Sequence, residues 1–391
     1  MNKAILAPEV QQFIDTHLNS DVHRIALAKS PFAAVSSREL SGQIMAKKKS
    51  EKKLPTWYNQ KGIYYPRLLS IEQCSSEKTA AYKAGLISSG NTIDLTGGFG
   101  VDSYYFSKHA TEVVHCELDA ELSEIVKHNA VVLGAQNIKC HAVDGLVYLE
   151  ESKAHFQTIY VDPARRSTTG KVFMLKDCSP DVVTHLDLLL NQTDQVIIKT
   201  SPLLDISAGI RELKNVAEVR IISTKNECKE LLFILKPGHQ EETRLVSVAI
   251  NDTIKESVFT LNDTAAGTMA ETLGTYLYEP DVALLKSGAF NQIARRFNLQ
   301  KLDRDTQLYS ADHIDRNFPG RIFSVTKVYS AQDLKKEKGL IGNVIVRNYP
   351  EQAASLVRKF KIKSSDLSFL IFTKSASNGF VIIHAEILQH Y

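Results

Sequence analysis

The twelve residues Asn91–Asp102, NTIDLTGGFGVD, decide how the chain is read. An apolar run through Thr92 and Ile93 enters the stretch, Gly97, Gly98 and Gly100 fill its middle, and a helical pattern through Tyr104, Tyr105 and Phe106 leaves it. Strand, glycine turn and helix open a nucleotide-binding α/β unit, because glycines let the backbone approach a ligand with no Cβ in the way. The acid ahead of the glycines discriminates between ligands. A dinucleotide would bring a pyrophosphate to this turn, and Asp94 would repel it. S-adenosylmethionine has no phosphate and carries an ammonium and a sulfonium, which Asp94 would attract. The dinucleotide fingerprint also asks for a third glycine three residues beyond Gly100, and the chain has Ser103 there. The loop therefore reads as a methyl-donor site, with Asp94, Thr96, Gly97, Gly98, Gly100 and Asp102 as its expected contacts.

Strand and helix patterns alternate on either side of this loop. TIDL is the first strand, Val113–Asp119 the second, Asn137–Asp144 the third, Thr158–Arg166 the fourth and Gln195–Pro202 the fifth; Glu218–Thr224 and Glu230–Leu235 follow as a terminal hairpin. Such alternation predicts a parallel sheet with helices on both faces, closed by an antiparallel pair. Ligands bind such sheets beyond the carboxyl ends of the strands. Glu117, 19 residues past Gly98, is at the right distance for a carboxylate to accept both ribose hydroxyls, with Leu118 beside it. Asp144 is expected to accept the exocyclic amine of an adenine, and Gly145 to give access. The Asp162-Pro163 turn at the fourth strand puts a carboxylate where a methyl acceptor must lie, so Asp162 is expected to position the nucleophile and take its proton. Arg165 and Arg166 are suited to a phosphate or a base, and Lys199 closes the fifth strand.

A chain of 391 residues predicts two to four domains. No run approaches the roughly 18 apolar residues of a membrane span, and MNKAILAPEV is too weakly apolar for a secretory signal. Five cysteines without a C-x-x-C pair fit a reducing, cytoplasmic compartment and give no zinc site. The charge is unevenly spread. Residues 1–72 hold 11 Lys+Arg against 6 Asp+Glu and residues 319–391 hold 11 against 5, so the centre is acidic although the whole chain is +3. Basic ends around an acidic centre suit a polyanion held by the flanks. The expected divisions are a helical region at 1–72, the nucleotide-binding domain at 73–238, a small α+β domain at 239–318 and a basic terminal domain at 319–391. Within the first, the lysine run KKKSEKK (47–53) precedes Trp57, Tyr58, Tyr64 and Tyr65, a pattern able to clamp phosphates and stack bases. Arg316, Arg321 and Arg347 are further expected RNA contacts. Pro280 is expected to open a helix over Asp281–Phe297.

The order DLTGGFGVD, CELD, HAVD, YVDPARR resembles the class I S-adenosylmethionine-dependent methyltransferases, and among them the RNA guanine N2 methyltransferase and trimethylguanosine synthase group. EQCSSEKTAAYKA (72–84), YEP (278–280), RNFPGR and RNYP extend the resemblance to a bacterial family with ferredoxin-like and C-terminal THUMP-like domains. The resemblance implies a Rossmann-like α/β fold, the cofactor S-adenosyl-L-methionine, no metal, and tRNA or rRNA as partner and substrate. The base-methylating relatives carry Pro-Pro-aromatic after the acid of the fourth strand, whereas this chain has Pro163, Ala164 and Arg165. Two other readings stay open. Ribose 2′-O-methyltransferases use a Lys-Asp-Lys-Glu set, and Lys83, Asp162, Lys199 and Glu230 occur in that order. A non-catalytic RNA-binding protein could also retain the fold.

Overall fold

The computed structural model describes residues 1–165 and 174–391. Two compact units form: Met1–Thr200 with Ser207–Val216 and Phe233–His239, and Ser201–Ile206 with Ala217–Leu232 and Gln240–Tyr391.

The first unit begins with short helices, the longest spanning Ser37–Lys53. Ser36 opens that helix with a capping box, its hydroxyl accepting from the Glu39 N–H while the Glu39 carboxylate accepts from the Ser36 N–H. Trp57, Tyr64 and Tyr65 lie in the core that these helices share with Phe99, Val101 and Ile125. Gln43 exchanges two hydrogen bonds with the Tyr65 backbone, and Asn129 does the same with Tyr64. These three rings are therefore core, and base stacking by them, as the sequence pattern allowed, does not occur. The lysine run has local partners too: Lys47 pairs with Asp15, Lys49 with Glu72, and Lys53 donates to the Ile71 and Glu72 carbonyls.

The sheet of this unit contains β1 (Asn91–Asp94), β2 (Glu112–Cys116), β3 (Ile138–His141), β4 (Phe156–Val161) and, after the two-residue strands β5 (Ala164–Arg165) and β6 (Cys178–Ser179), β7 (Thr193–Thr200). The order is β3-β2-β1-β4-β7, every pair parallel. The chain builds outward from β1 to β3 and then returns to β4, so the order reverses between β1 and β4. That crevice is where a sheet of this kind receives its ligand. β5 and β6 pair antiparallel with each other just beyond Asp162 and Pro163.

β8 (Val216–Thr224) and β9 (Glu227–Leu235), which fall mainly in the second unit, form a hairpin across Lys225 and Asn226. Both turn residues have positive φ, 49° and 57°, as a two-residue hairpin turn matched to strand twist requires. β10 (Arg244–Ile250) lies parallel to β8, and β11 (Ile254–Thr260) antiparallel to β10. A second sheet has the order β13-β14-β12-β15-β18-β17-β16, from β12 (Tyr276–Pro280), β13 (Gln300–Lys301), β14 (Tyr309–Ala311), β15 (Gly320–Tyr329), β16 (Asn343–Val346), β17 (Ser368–Ser375) and β18 (Gly379–Gln389). Since β12 pairs with β15, this sheet runs across residues 318/319. Pro280 ends β12 and Asp281 caps the helix that follows; two helices, Val282–Ser287 and Phe290–Arg296, replace the expected single one because Gly288 turns left-handed between them. Arg321 and Arg347 converge on the buried Glu279 carboxylate, at 2.6 Å and 2.7 Å, and Arg316 donates to the Leu388 carbonyl. These arginines, expected from the sequence to contact RNA, thus have partners within their own unit.

Candidate active site at the carboxyl ends of the parallel strands

β1 ends on Asp94, only 1% exposed. Its carboxylate accepts from the Thr96 N–H at 3.1 Å and from the Ser103 hydroxyl at 2.7 Å. Ser103, which stands where a dinucleotide site has glycine, thus ties the first turn of the helix Val101–Phe106 to the strand end. Burial pushes the Asp94 carboxyl up to about 7, against the lowering effect of those hydrogen bonds. Gly98 and Gly100 both have positive φ, 55° and 73°, which a turn this tight asks of glycine.

Glu117 follows β2 directly. Its Oε2 accepts from the Gly98 N–H at 2.9 Å and its Oε1 from the Asp119 N–H at 2.8 Å, so the carboxylate is locked against the glycine turn. Each oxygen keeps a second acceptor position. Leu118, next along, is 72% exposed. Asp144 caps the helix Gly145–Ser152, Oδ1 accepting from Leu146 and Val147 at 2.8 Å and 3.4 Å. Oδ2 of Asp144 has no donor among the described residues. Gly145 is pressed against the loop: a Cβ there would sit 2.6 Å from Leu95 Cα and collide with the Leu95 carbonyl oxygen.

Past β4, the Asp162 N–H donates to Thr96 Oγ1 at 2.7 Å, tying the Asp162-Pro163 turn to the glycine loop. The Asp162 carboxylate pairs with Lys199 Nζ from β7; their side chains are 36% and 13% exposed. The first unit therefore gathers Asp94, Thr96, Gly97, Gly98, Gly100, Glu117, Leu118, Asp144, Gly145, Asp162, Pro163 and Lys199 around one set of strand ends. Lys83 and Asp102 pair with each other instead. Lys83 is fully buried, its Nζ 3.1 Å from Asp102 Oδ1 and donating to Ser75 Oγ at 2.8 Å. The Ser75 and Tyr160 hydroxyls donate to Asp102 Oδ2 at 2.7 Å and 3.0 Å. Burial alone would raise the Asp102 carboxyl, but the Lys83 and Lys199 charges and the Ser75 hydroxyl outweigh it and hold it below its ordinary value. Glu230 is buried in the second unit. Arg166 lies outside the described residues, as does the side chain of Arg165.

One site residue has no counterpart in the sequence reading. His115, fully buried in β2, fills the space a Cβ at Gly97 would need. Burial pushes its pKa down to about 4, against the raising effect of the neighbouring Gly97 and Gly98 backbone. It is a neutral support beneath the loop. The one signal available was a polar residue inside the otherwise apolar run VVHC.

The acceptors fit an adenosyl compound. Glu117 offers a fixed carboxylate suited to vicinal hydroxyls, Asp144 an oxygen lacking a donor and suited to an amine, and Leu118 an exposed apolar side chain suited to a flat ring. Among the described residues no group of three or more His, Cys, Asp or Glu could hold a metal, and no helix is long and apolar enough to cross a membrane.

Comparison with known proteins agrees with this fold. Residues 276–319 match a ferredoxin-like domain family. The crystal structure of a candidate methyltransferase from Porphyromonas gingivalis superposes with a TM-score of 0.87 at 28% identity, covering 99% of both chains. Two Mycobacterium tuberculosis strains carry an uncharacterized S-adenosylmethionine-dependent methyltransferase that is 20% identical over 328 residues, or 82% of this chain and 87% of theirs.

Proposed function

We propose that this chain is an S-adenosylmethionine-dependent methyltransferase that modifies a base nitrogen of RNA. The observation that carries the first part is the Glu117 carboxylate locked to the Gly98 N–H, with Gly145 packed on Leu95 and the Asp162 turn bonded to Thr96 of the same loop. The similarity to the mycobacterial and Porphyromonas proteins supports it. When bound, the donor supplies an electrophilic methyl group, and the protein's task is alignment and charge. Glu117 and Asp144 hold the adenosyl portion, and the Thr96 hydroxyl sets the distance from the donor loop to the Asp162 turn. Asp162 is the partly exposed carboxylate beside the reversal of strand order, and it accepts the proton that an acceptor nitrogen loses. The ion pair with Lys199 keeps it oriented.

Base nitrogen is favoured over a ribose hydroxyl because the ribose reading needs Lys83 at the acceptor. Lys83 is instead enclosed and neutralised by Asp102. RNA is supported by the basic terminal segment. Lys335, Lys338, Lys361 and Lys363 are exposed and have no ion-pair partner among the described residues. Backbone hydrogen bonds from Gly342 to Lys363 and from Lys363 to Leu340 bring the two lysine-bearing stretches together. Such a surface suits a phosphate backbone.

Asp162→Asn should lower kcat by about 100-fold or more, the scale of a general base, while adenosylhomocysteine binding by calorimetry stays within about twofold of wild type. RNA from cells lacking the gene should be missing one methylated nucleoside by mass spectrometry. Full activity in Asp162→Asn would remove that residue's role, and an unchanged nucleoside profile would remove RNA as substrate.

A further inference from the structure

The second unit contains a cleft of about 420 Å³, within the size range of small-ligand sites. Its lining includes the Ser287–Gln292 turn between the two helices of the ferredoxin-like domain together with Lys301, Arg304, Asp305 and Gln307. Four side chains there are unspent in an informative way. Gln307 Oε1 is enclosed yet receives no hydrogen bond among the described residues, although a buried acceptor without a donor costs free energy. Lys301, 6% exposed, donates only long bonds to Asn291 Oδ1 at 3.3 Å and the Arg304 carbonyl at 3.2 Å, leaving one N–H. Burial lowers its pKa, and the facing Asp305 carboxylate raises it. Arg304 is exposed and has no ion-pair partner among the described residues. Phe290 is partly exposed, and its backbone is anchored by the Tyr309 hydroxyl at 3.0 Å. The other acid of the lining, Asp263, is neutralised by Arg295. The lining thus brings together two cations, one acid without an ion-pair partner among the described residues, an aromatic ring and an orphaned amide oxygen.

We infer that this cleft takes one nucleotide of a single-stranded RNA: Arg304 and Lys301 on its phosphate, the Phe290 ring against its base, and Gln307 Oε1 accepting an N–H from the base edge. Each group corresponds to a component of single-strand recognition, in which cations track the backbone and aromatic rings stack on bases. The amide adds selectivity for a base edge bearing a donor. This rests on the RNA reading above. It goes beyond it by assigning the ferredoxin-like domain a grip on the strand, separate from the strand ends where methyl transfer is proposed.

The test uses the full chain and a fluorescein-labelled 12-nucleotide RNA of mixed sequence, with anisotropy read at several salt concentrations. Arg304→Glu should weaken binding about tenfold and make the salt slope shallower by about one. Phe290→Leu should weaken it about fivefold, on the scale of losing a stacked base, with the slope unchanged. Adenosylhomocysteine binding should stay at the wild-type value in both. If wild type binds the RNA and both variants bind it equally well, the cleft assignment is wrong and the RNA reading stands. If wild type does not bind RNA at all, the RNA reading fails and takes the cleft with it.

Discussion

Replacing Asp94 by Asn should make the free protein more stable and a worse binder of the methyl donor. Burial carries the Asp94 carboxyl from its ordinary 3.8 up to about 7. A folded pKa above the unfolded one means that the group's contribution is fully present below about 3.8 and is lost as pH rises through about 7. At roughly 1.4 kcal/mol per pH unit, the ionised carboxylate costs about 4 kcal/mol by pH 8. The amide keeps Oδ1 as acceptor for the Thr96 N–H and turns Nδ2 toward Ser103 Oγ, whose own proton then loses its acceptor. That loss offsets about 1 kcal/mol. The net gain at pH 8 is about 3 kcal/mol, or a Tm rise of roughly 6–12 °C for a domain of this size. Near pH 4 the gain disappears and the variant is slightly less stable than wild type. In binding, the sulfonium of adenosylmethionine feels the lost charge and the neutral thioether of adenosylhomocysteine does not. The ratio of their affinities should therefore shift against adenosylmethionine on the order of tenfold at pH 8. Scanning fluorimetry at pH 4 and 8 with calorimetry for both ligands measures all of this. A Tm that falls equally at both pH values, or an equal loss of the two ligands, would refute the electrostatic account of the loop.

Two further substitutions probe the parts that position the site. Gly145→Ala drives a methyl group into the Leu95 backbone; an overpacking cost of about 1–3 kcal/mol should accompany at least tenfold weaker adenosylhomocysteine binding, since the displaced backbone belongs to the donor loop, and unchanged affinity would refute that coupling. Lys83→Met removes the cation paired with the Asp102 carboxylate and leaves it the Ser75 and Tyr160 hydroxyls and the charge of Lys199, so stability to urea should fall by up to about 3 kcal/mol, and adding Asp102→Leu should restore most of it; no recovery in the double variant would mean the pair is not the source of the loss.

Much of the first unit was legible in the sequence because its signals are local. Alternating apolar runs, the glycine turn and acids at strand ends are all set by neighbours in the chain, and β1, β2, β4 and β7 lie within a few residues of their expected ranges. Asp162 and Lys199, 37 residues apart, meet because β4 and β7 are adjacent parallel strands, and a strand-end reading already implies that. What the sequence could not decide was the destination of each polar or aromatic group once the chain packs. Lys83 reads like any lysine on a helix, yet only the juxtaposition of that helix with the loop gives it Asp102 as a buried partner. Trp57, Tyr64 and Tyr65 look available to a base until the helices close over them. Arg321 and Arg347 look basic and exposed until β12 brings Glu279 between them. Composition and periodicity determine which elements form and which end of the sheet is chemical. Whether a given charge faces solvent, ligand or a counter-ion depends on desolvation and long-range contact, and only the tertiary structure supplies those.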